Sequence, residues 1–194
     1  MKDTLLDWFG TFWKVLVSPT PQTFLKEAKK ADGKFASALG WLIFYAIYIV
    51  IMASFAVGAV LSVPAVLTIL FLIPLAVVLF TSVMNFVCQR IFHTKGYIYD
   101  KLLYITVAVL LPIFVIFTAI SPLISPDIFK ISVSILLFYQ VALLTIAVTA
   151  IADLEYWQSL VTVVLSIIAG IVIGGILFIL IVTTLSPASL SNPQ

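Results

Sequence analysis

Charged residues are scarce in this sequence: they make up 9% of the 194 residues, whereas hydrophobic residues make up 63%. A soluble globular domain is charged at roughly a quarter of its positions, so the composition excludes that class. The mean hydropathy of +1.27 agrees with a chain that lies largely in lipid. The formal net charge is only +2, and the sequence therefore suggests no nucleic-acid partner.

The sequence is equally poor in the residues that carry chemistry, with one cysteine and one histidine. Cys88 has no partner for an internal disulfide, and we expect it to be a buried small hydrophobic residue. His93 lies in a polar connection where the spacings to Cys88 and Asp100 match no zinc pattern. The sequence shows no phosphate-binding glycine loop, paired-histidine motif or nucleophile elbow. We therefore expect a protein that is not an enzyme and that uses no metal or other cofactor.

Long apolar runs dominate what is present, and about 18 consecutive apolar residues are enough for a spanning helix. Five such runs cover approximately Ala38 to Leu61, Ala65 to Cys88, Lys101 to Ile120, Ile128 to Ile151 and Gln158 to Thr184. The apolar cores of these runs contain no charge, as expected from a cost of about 2.5–3.5 kcal/mol for a charge at a helix centre. The predicted fold class is all-α, a polytopic membrane protein with five transmembrane helices preceded by a short amphipathic interfacial helix.

The first 17 residues predict this amphipathic helix, because large apolar side chains recur on one side at the helical period. The membrane-interface candidates on that side are Trp8, Phe9, Phe12 and Trp13. Such a helix can lie in the headgroup plane with its aromatic face sunk in lipid. Alternatively, the same face packs against the spanning helices of the protein itself.

A second short helix is predicted after Thr20, which can cap it, with Pro21 at the first helical position. The candidates for binding anionic lipid around this helix are Lys26, Lys29, Lys30 and Lys34. Basic residues near a membrane surface attract anionic lipid by about 1 kcal/mol each. An ordinary topology signal explains the same cluster equally simply, and both explanations stay open.

Lysine and arginine are distributed unequally between the two sides of the predicted spans. The segment before the first span carries six, the connection from Arg90 to Lys101 carries three, and the opposite side carries only Lys130. By the positive-inside rule the N-terminus is cytoplasmic, and five spans then place the C-terminus outside. The predicted regions are a cytoplasmic segment (1–37), a transmembrane domain (38–184) and a short external tail (185–194).

Small residues in the last predicted span indicate close helix packing. Ser166, Gly170 and Gly174 recur at intervals of four, and this spacing lets two backbones approach each other in lipid. The partner is either another span of the same chain or a second copy of the protein. An internal partner is favoured, because this motif is frequent in proteins with several spans.

Polar and helix-breaking residues at membrane depth offer a transport site as an alternative. Gln140, near the middle of the fourth span, is the candidate for contact with a solute, although an interhelical hydrogen bond is the commoner use of such a residue. Pro74 and Pro112 each remove a backbone hydrogen bond inside a span. Broken helices mark substrate sites in transporters, but prolines are also common in spanning helices that bind nothing.

Three short segments carry a resemblance to a known family. They are Pro21-Gln-Thr-Phe24 before the spans, Gly-Tyr-Ile-Tyr99 leading into Lys-Leu-Leu-Tyr104 with Pro112 in the third span, and Tyr156-Trp-Gln-Ser-Leu160 before a glycine-bearing last span. With five spans, this arrangement resembles the Yip family, the Ypt/Rab-interacting type of membrane protein. The resemblance implies vesicle trafficking for eukaryotic members, through a cytoplasmic N-terminal region that meets small GTPases.

The segment before the first span is only about 37 residues long, which is more similar to the short prokaryotic members of that family. The resemblance therefore implies a prokaryotic plasma membrane and no catalytic residues. We expect a membrane scaffold or accessory subunit that contacts membrane lipids and either an unidentified membrane protein or a second copy of itself. The alternative hypothesis is a small-solute channel or transporter.

Overall fold

The computed structural model describes residues 2–31, 34–57, 63–120 and 125–185, and these residues form helices and no strands. The helices are α1 (Lys2–Val17), α2 (Pro21–Ala28), α3 (Phe35–Val57), α4 (Val63–Phe86), α5 (Tyr99–Ile120), α6 (Pro126–Ala152) and α7 (Tyr156–Leu185). A 3₁₀ turn (Lys29–Ala31) continues α2, and a π-helical turn (Val87–Ile91) continues α4. The prediction of an all-α fold is confirmed.

The five helices from α3 to α7 are each long and apolar enough to cross a membrane. Each of them begins two or three residues before the start predicted from the sequence. The last four residues of the first predicted span, 58–61, lie outside the described residues, as do residues 121–124 and most of the predicted external tail. The chain is therefore a multi-pass membrane protein.

Short-range chemistry sets the start of α2, in the way the sequence predicts, and also the end of α6. The Thr20 hydroxyl accepts a hydrogen bond from the backbone N–H of Thr23 at 3.2 Å, and Pro21 occupies the first turn of α2. Helix α6 ends at Asp153, which adopts a left-handed conformation with φ of 53°. Aspartate tolerates this backbone region better than most residues, so α6 can stop there without a glycine.

Helix α5 forms the centre of the bundle. Of its spanning window, 56% is buried inside the protein, compared with 39% or less in the other four spans. It packs against α1, α2, α3, α4 and α6, and α3 and α4 also pack against each other. Pro74 and Pro112 lie inside α4 and α5, and both helices continue through them. Neither helix is therefore a broken helix of the kind that transporters use.

Candidate functional site: the N-terminal helical hairpin on the spanning bundle

Helices α1 and α2 form an N-terminal hairpin that packs on the spans, and α1 divides its aromatic side chains between two faces. Trp8 and Phe12 are buried, with 0% and 7% of their surface exposed, whereas Phe9 and Trp13 are 59% and 69% exposed. The prediction of a membrane-interface role is therefore wrong for Trp8 and Phe12, which pack inside the protein. Phe9 and Trp13 remain available for contact with lipid.

The burial of Trp8 has a specific physical cause. Its indole N–H donates to the Ser37 hydroxyl oxygen at 2.7 Å, so the one polar group of the side chain is satisfied inside the protein. Its ring centroid lies 4.5 Å from that of Tyr104 and 5.9 Å from that of Trp41. Aromatic pairs at such distances add to the free energy of simple area burial. Trp8 thus joins α1 to α3 and α5 at a single point.

A buried carboxylate lies where the two helices of the hairpin meet. Glu27 is fully buried, and one of its carboxylate oxygens accepts a hydrogen bond from the Thr11 hydroxyl at 2.7 Å and faces the Lys30 ammonium at 2.6 Å. Its other oxygen lies 3.5 Å from Lys14 Nζ. The Thr11 hydroxyl is also 3.2 Å from the Tyr104 hydroxyl on α5. A buried carboxylate needs such partners, because burial without them costs several kcal/mol.

Asp7 extends the same network towards the start of α3. Its two carboxylate oxygens accept from Lys34 Nζ at 2.6 Å and from Lys30 Nζ at 3.1 Å, so Lys30 bridges both carboxylates. We call the whole set the hairpin cluster; it consists of Asp7, Thr11, Lys14, Glu27, Lys30, Lys34 and Tyr104. It ties α1 to α2, to the start of α3 and to α5.

The contacts within the cluster favour the charged forms of Asp7, Glu27 and Lys30. Hydrogen bonds from Lys34 and Lys30 hold the pKa of Asp7 below its ordinary value. Burial acts to raise the pKa of Glu27, but the hydrogen bonds from Lys30 and Thr11 and the nearby lysine charges outweigh it and lower that pKa. Burial likewise acts to lower the pKa of Lys30, and its contacts with Glu27 and Asp7 raise it instead. The hairpin is therefore fastened by ion pairs at neutral pH.

The four lysines predicted to bind anionic lipid have two different surroundings. Lys30 and Lys34 are engaged with the carboxylates of the hairpin cluster. Lys26 and Lys29 are exposed, and no ion pair within the described ranges includes either of them. Binding of anionic lipid thus stays a prediction for all four lysines. Lys26 and Lys29 are the two that pair with no carboxylate among the described residues.

The small residues of α7 face α4 along part of their length. Ser166 is buried, and its hydroxyl donates to the carbonyl oxygen of Thr162 at 2.7 Å. A Cβ atom added at Gly170 would meet the Phe80 ring of α4 at 3.8 Å, while one added at Gly174 would meet no described atom within 4 Å. Close packing within the chain therefore involves Ser166 and Gly170, whereas the surface at Gly174 is open.

Gln140 is buried between α5 and α6, with 5% of its surface exposed. Its side-chain Nε2 has no hydrogen-bond partner among the residues that the structure describes. It lines a small cavity of about 50 Å³, whose other walls are the apolar side chains of Ile113, Phe114, Val133, Leu136 and Leu137. The Nε2 group of this amide thus forms no interhelical hydrogen bond within the described chain.

Sequence reasoning did not find Glu27, Thr11 or Tyr104. A signal was present, because residues 24, 27, 28 and 31 lie on one helical face, and three of these four positions hold Phe or Ala. Glu27 is the only charged residue on that otherwise apolar face, and all four residues are buried. A carboxylate on the apolar face of a short helix therefore predicts a buried ion pair. Lys30, three residues further on, is a partner that local sequence can indicate, whereas Thr11 and Lys14 on α1 could not be identified in this way.

Comparison with known proteins adds no relative: no family model matches this chain, and neither do curated proteins or solved structures. The Yip resemblance stays a prediction. Among residues 2–31, 34–57, 63–120 and 125–185, no three His, Cys, Asp or Glu side chains come together as metal ligands. What the hairpin cluster can do chemically is to hold two helices against the spans through paired charges.

Proposed function

We propose that this chain is a non-enzymatic integral membrane protein of the Yip type, a membrane scaffold or accessory subunit that acts through protein and lipid contacts. The observation that carries the proposal is the hairpin cluster. Both of its carboxylates are engaged by lysines, with N···O distances of 2.6 Å for the shortest pair of each. Carboxylates held in this way are suited to a structural use, because a general acid or base must exchange its proton with a substrate.

The exposed surface supports contacts with lipid and with other proteins. On α1, the apolar side chains of Phe9, Trp13 and Val17 are exposed on one face. On α7, Gly174 leaves an open surface in a helix that packs by small residues elsewhere along its length. In this proposal the N-terminus is cytoplasmic, in a prokaryotic plasma membrane, because the N-terminal side carries nine of the ten lysines and arginines.

The test is tagged capture from native membranes in mild detergent after crosslinking, followed by mass spectrometry and a native-mass measurement. A stoichiometric protein partner or a self-complex is expected. Gly174→Leu should reduce its recovery several-fold, because the side chain blocks close approach at α7. Gly40→Leu is the matched control, since a Cβ atom at Gly40 on α3 also meets no described atom within 4 Å. Recovery of an unpartnered monomer alone would overturn the proposal.

A small-solute channel or transporter is the second candidate, and the buried amide of Gln140 favours it. A polar group of this kind at membrane depth can contact a polar solute. In liposomes, Gln140→Leu should abolish any flux that the wild type shows, whereas Gln22→Leu at an exposed position of α2 should leave it intact. Absence of flux across a broad solute panel would eliminate this candidate.

A further inference from the structure

The two helices of the N-terminal hairpin run antiparallel, as their ion pairs show. Asp7, early in α1, contacts Lys30 and Lys34 beyond the end of α2. Lys14, about two turns further along α1, contacts Glu27 inside α2. The turn between the helices is therefore the part of the hairpin farthest from the start of α3.

That turn lies deep beside the spans. The Tyr139 hydroxyl of α6 donates to the backbone carbonyl oxygen of Leu16, next to the end of α1, at 2.5 Å. Tyr139 lies 13 residues before Ala152, where α6 ends. Pro112 lines a crevice together with Leu16, and it lies 13 residues after Tyr99, where α5 starts. At about 1.5 Å per residue this is about 20 Å along each helix, compared with a hydrocarbon core of about 30 Å.

The outer face of α1 suits this depth. Phe9, Trp13 and Val17 follow one another at intervals of four and are all exposed. They continue the exposed apolar surface of the neighbouring spans, which includes Phe44 of α3 and Ile116 of α5. A surface of this kind beside membrane-spanning helices faces acyl chains. The outer face of α1 can therefore meet the acyl chains of the leaflet on its own side of the membrane.

An apolar crevice of about 350 Å³ separates α1 from α3 and α5. Its walls include Phe9 and Leu16 of α1, Trp41 and Phe44 of α3, and Ile116 of α5, and no charged side chain lines it. The volume lies at the lower end of the range of about 300–1,000 Å³ that small-molecule sites occupy. The crevice suits a single hydrocarbon chain and not a further helix, because an α-helix with side chains is about 10–12 Å across.

We propose that this crevice binds one acyl chain of a phospholipid from the leaflet on the N-terminal side. The proposal deepens the lipid contact of the proposed function and rests on it. Apolar transfer from water supplies no driving force here, since lipid tails are as apolar as the walls. The driving force is dispersion, because walls that face a void lose their contacts and a chain in the crevice restores them.

Native mass spectrometry of the full chain provides the test, after reconstitution in phosphatidylglycerol–phosphatidylethanolamine vesicles and extraction in mild detergent. The readout is the number of phospholipids that each chain retains. Ile116→Trp fills the crevice, and Ile168→Trp is the matched control on α7, because these isoleucines are 54% and 53% exposed. The wild type and Ile168→Trp should each retain one phospholipid, and Ile116→Trp should retain at least fivefold less.

Equal retention by all three proteins would place the lipid elsewhere and overturn the proposal, as would a wild type that retains none. If Ile116→Trp is not monodisperse, Val115→Phe fills the same crevice from the same helix, and the same two results decide. The measurement uses purified chains, so its failure leaves the capture result with Gly174→Leu untouched. If the capture experiment recovers no partner while the purified chain still retains one phospholipid, only the protein-contact part of the proposed function is removed.

Discussion

Two apolar crevices of nearly equal volume, about 350 Å³ beside α1 and about 340 Å³ between α4 and α7, have different walls. Aromatic side chains dominate the first, and aliphatic side chains with Gly170 and Gly174 dominate the second. The wall formed by α1 is fixed by directional contacts, namely the hydrogen bond of Trp8 and the ion pairs of Glu27. The α4–α7 contact depends on dispersion among small and aliphatic groups. Single substitutions should therefore disrupt the first region and leave the second nearly unchanged.

The largest effect is expected from Trp8→Ala, which removes a fully buried indole and its hydrogen bond to Ser37. Large-to-small changes of this kind cost about 3–5 kcal/mol in the free energy of unfolding. Hydrogen exchange of α1 and α2, followed by mass spectrometry, should show the hairpin losing protection. Trp13→Ala is the control, since Trp13 is 69% exposed, and a change within about 0.5 kcal/mol is expected there. Equal losses from both variants would contradict the assignment of the two faces.

A smaller effect is expected from Glu27→Gln, which keeps the size of the side chain and removes its charge. Lys14 and Lys30 then lose a carboxylate partner, and leaving such groups unpaired costs about 1–3 kcal/mol. The thermal midpoint in detergent should fall together with the exchange protection of α2. Glu155→Gln at the exposed α6–α7 connection should change neither quantity. A Glu27→Gln protein as stable as the wild type would show that the charge of Glu27 does not fasten the hairpin.

Acidification should weaken the same attachment without any mutation. The pKa values of Asp7 and Glu27 are lowered from their ordinary values of 3.8 and 4.5. A lowered pKa contributes stability that is complete above the ordinary value and is lost as the pH falls through the value in the folded protein. Exchange protection of α1 and α2 should therefore be constant from neutral pH to about pH 5 and decrease below about pH 4. Glu27→Gln should flatten this decrease, and an unchanged profile would contradict the role of Glu27.

The smallest effect is expected at the α4–α7 contact. In Gly170→Ala the new methyl group meets Phe80 at 3.8 Å, an ordinary van der Waals distance. The change should be neutral or should stabilise α7 by up to about 1 kcal/mol, the difference in helix propensity between glycine and alanine. Gly174→Ala, in open space, should behave alike in the same thermal unfolding measurement. If Gly170→Ala destabilises the protein and Gly174→Ala does not, the contact between α4 and α7 at Gly170 is tighter than the distance of 3.8 Å to Phe80 indicates.

The spans were predictable because length and hydropathy alone decide whether a helix can cross a membrane. Helix ends were predictable where a local rule applies, as at Thr20 and Pro21. The side on which α1 packs was not predictable from its period. A 3.6-residue pattern identifies an apolar face, but lipid and protein interior are both apolar, so the pattern cannot say which one covers Trp8.

The hairpin cluster was beyond sequence reasoning for a different reason. Thr11 and Tyr104 are 93 residues apart in the chain, and their hydroxyl contact depends on how five helices pack. Glu27 is marked locally by the apolar face it shares with Phe24, and Lys30 lies only three residues further on, yet Thr11 and Lys14 come from α1. Long-range packing determines the cluster, and a single sequence contains no record of it.

The 123-residue separation between Leu16 and Tyr139, which share a hydrogen bond, also sets an order of events during synthesis. A ribosome adds roughly 5–20 residues per second, so Tyr139 is made roughly 6–25 s after Leu16. During that interval α1 and α2 can dock on α3 and α5, which are translated before α6, but they cannot yet form the contact with α6. The hairpin therefore completes its contacts with the spans only after most of the chain has been made.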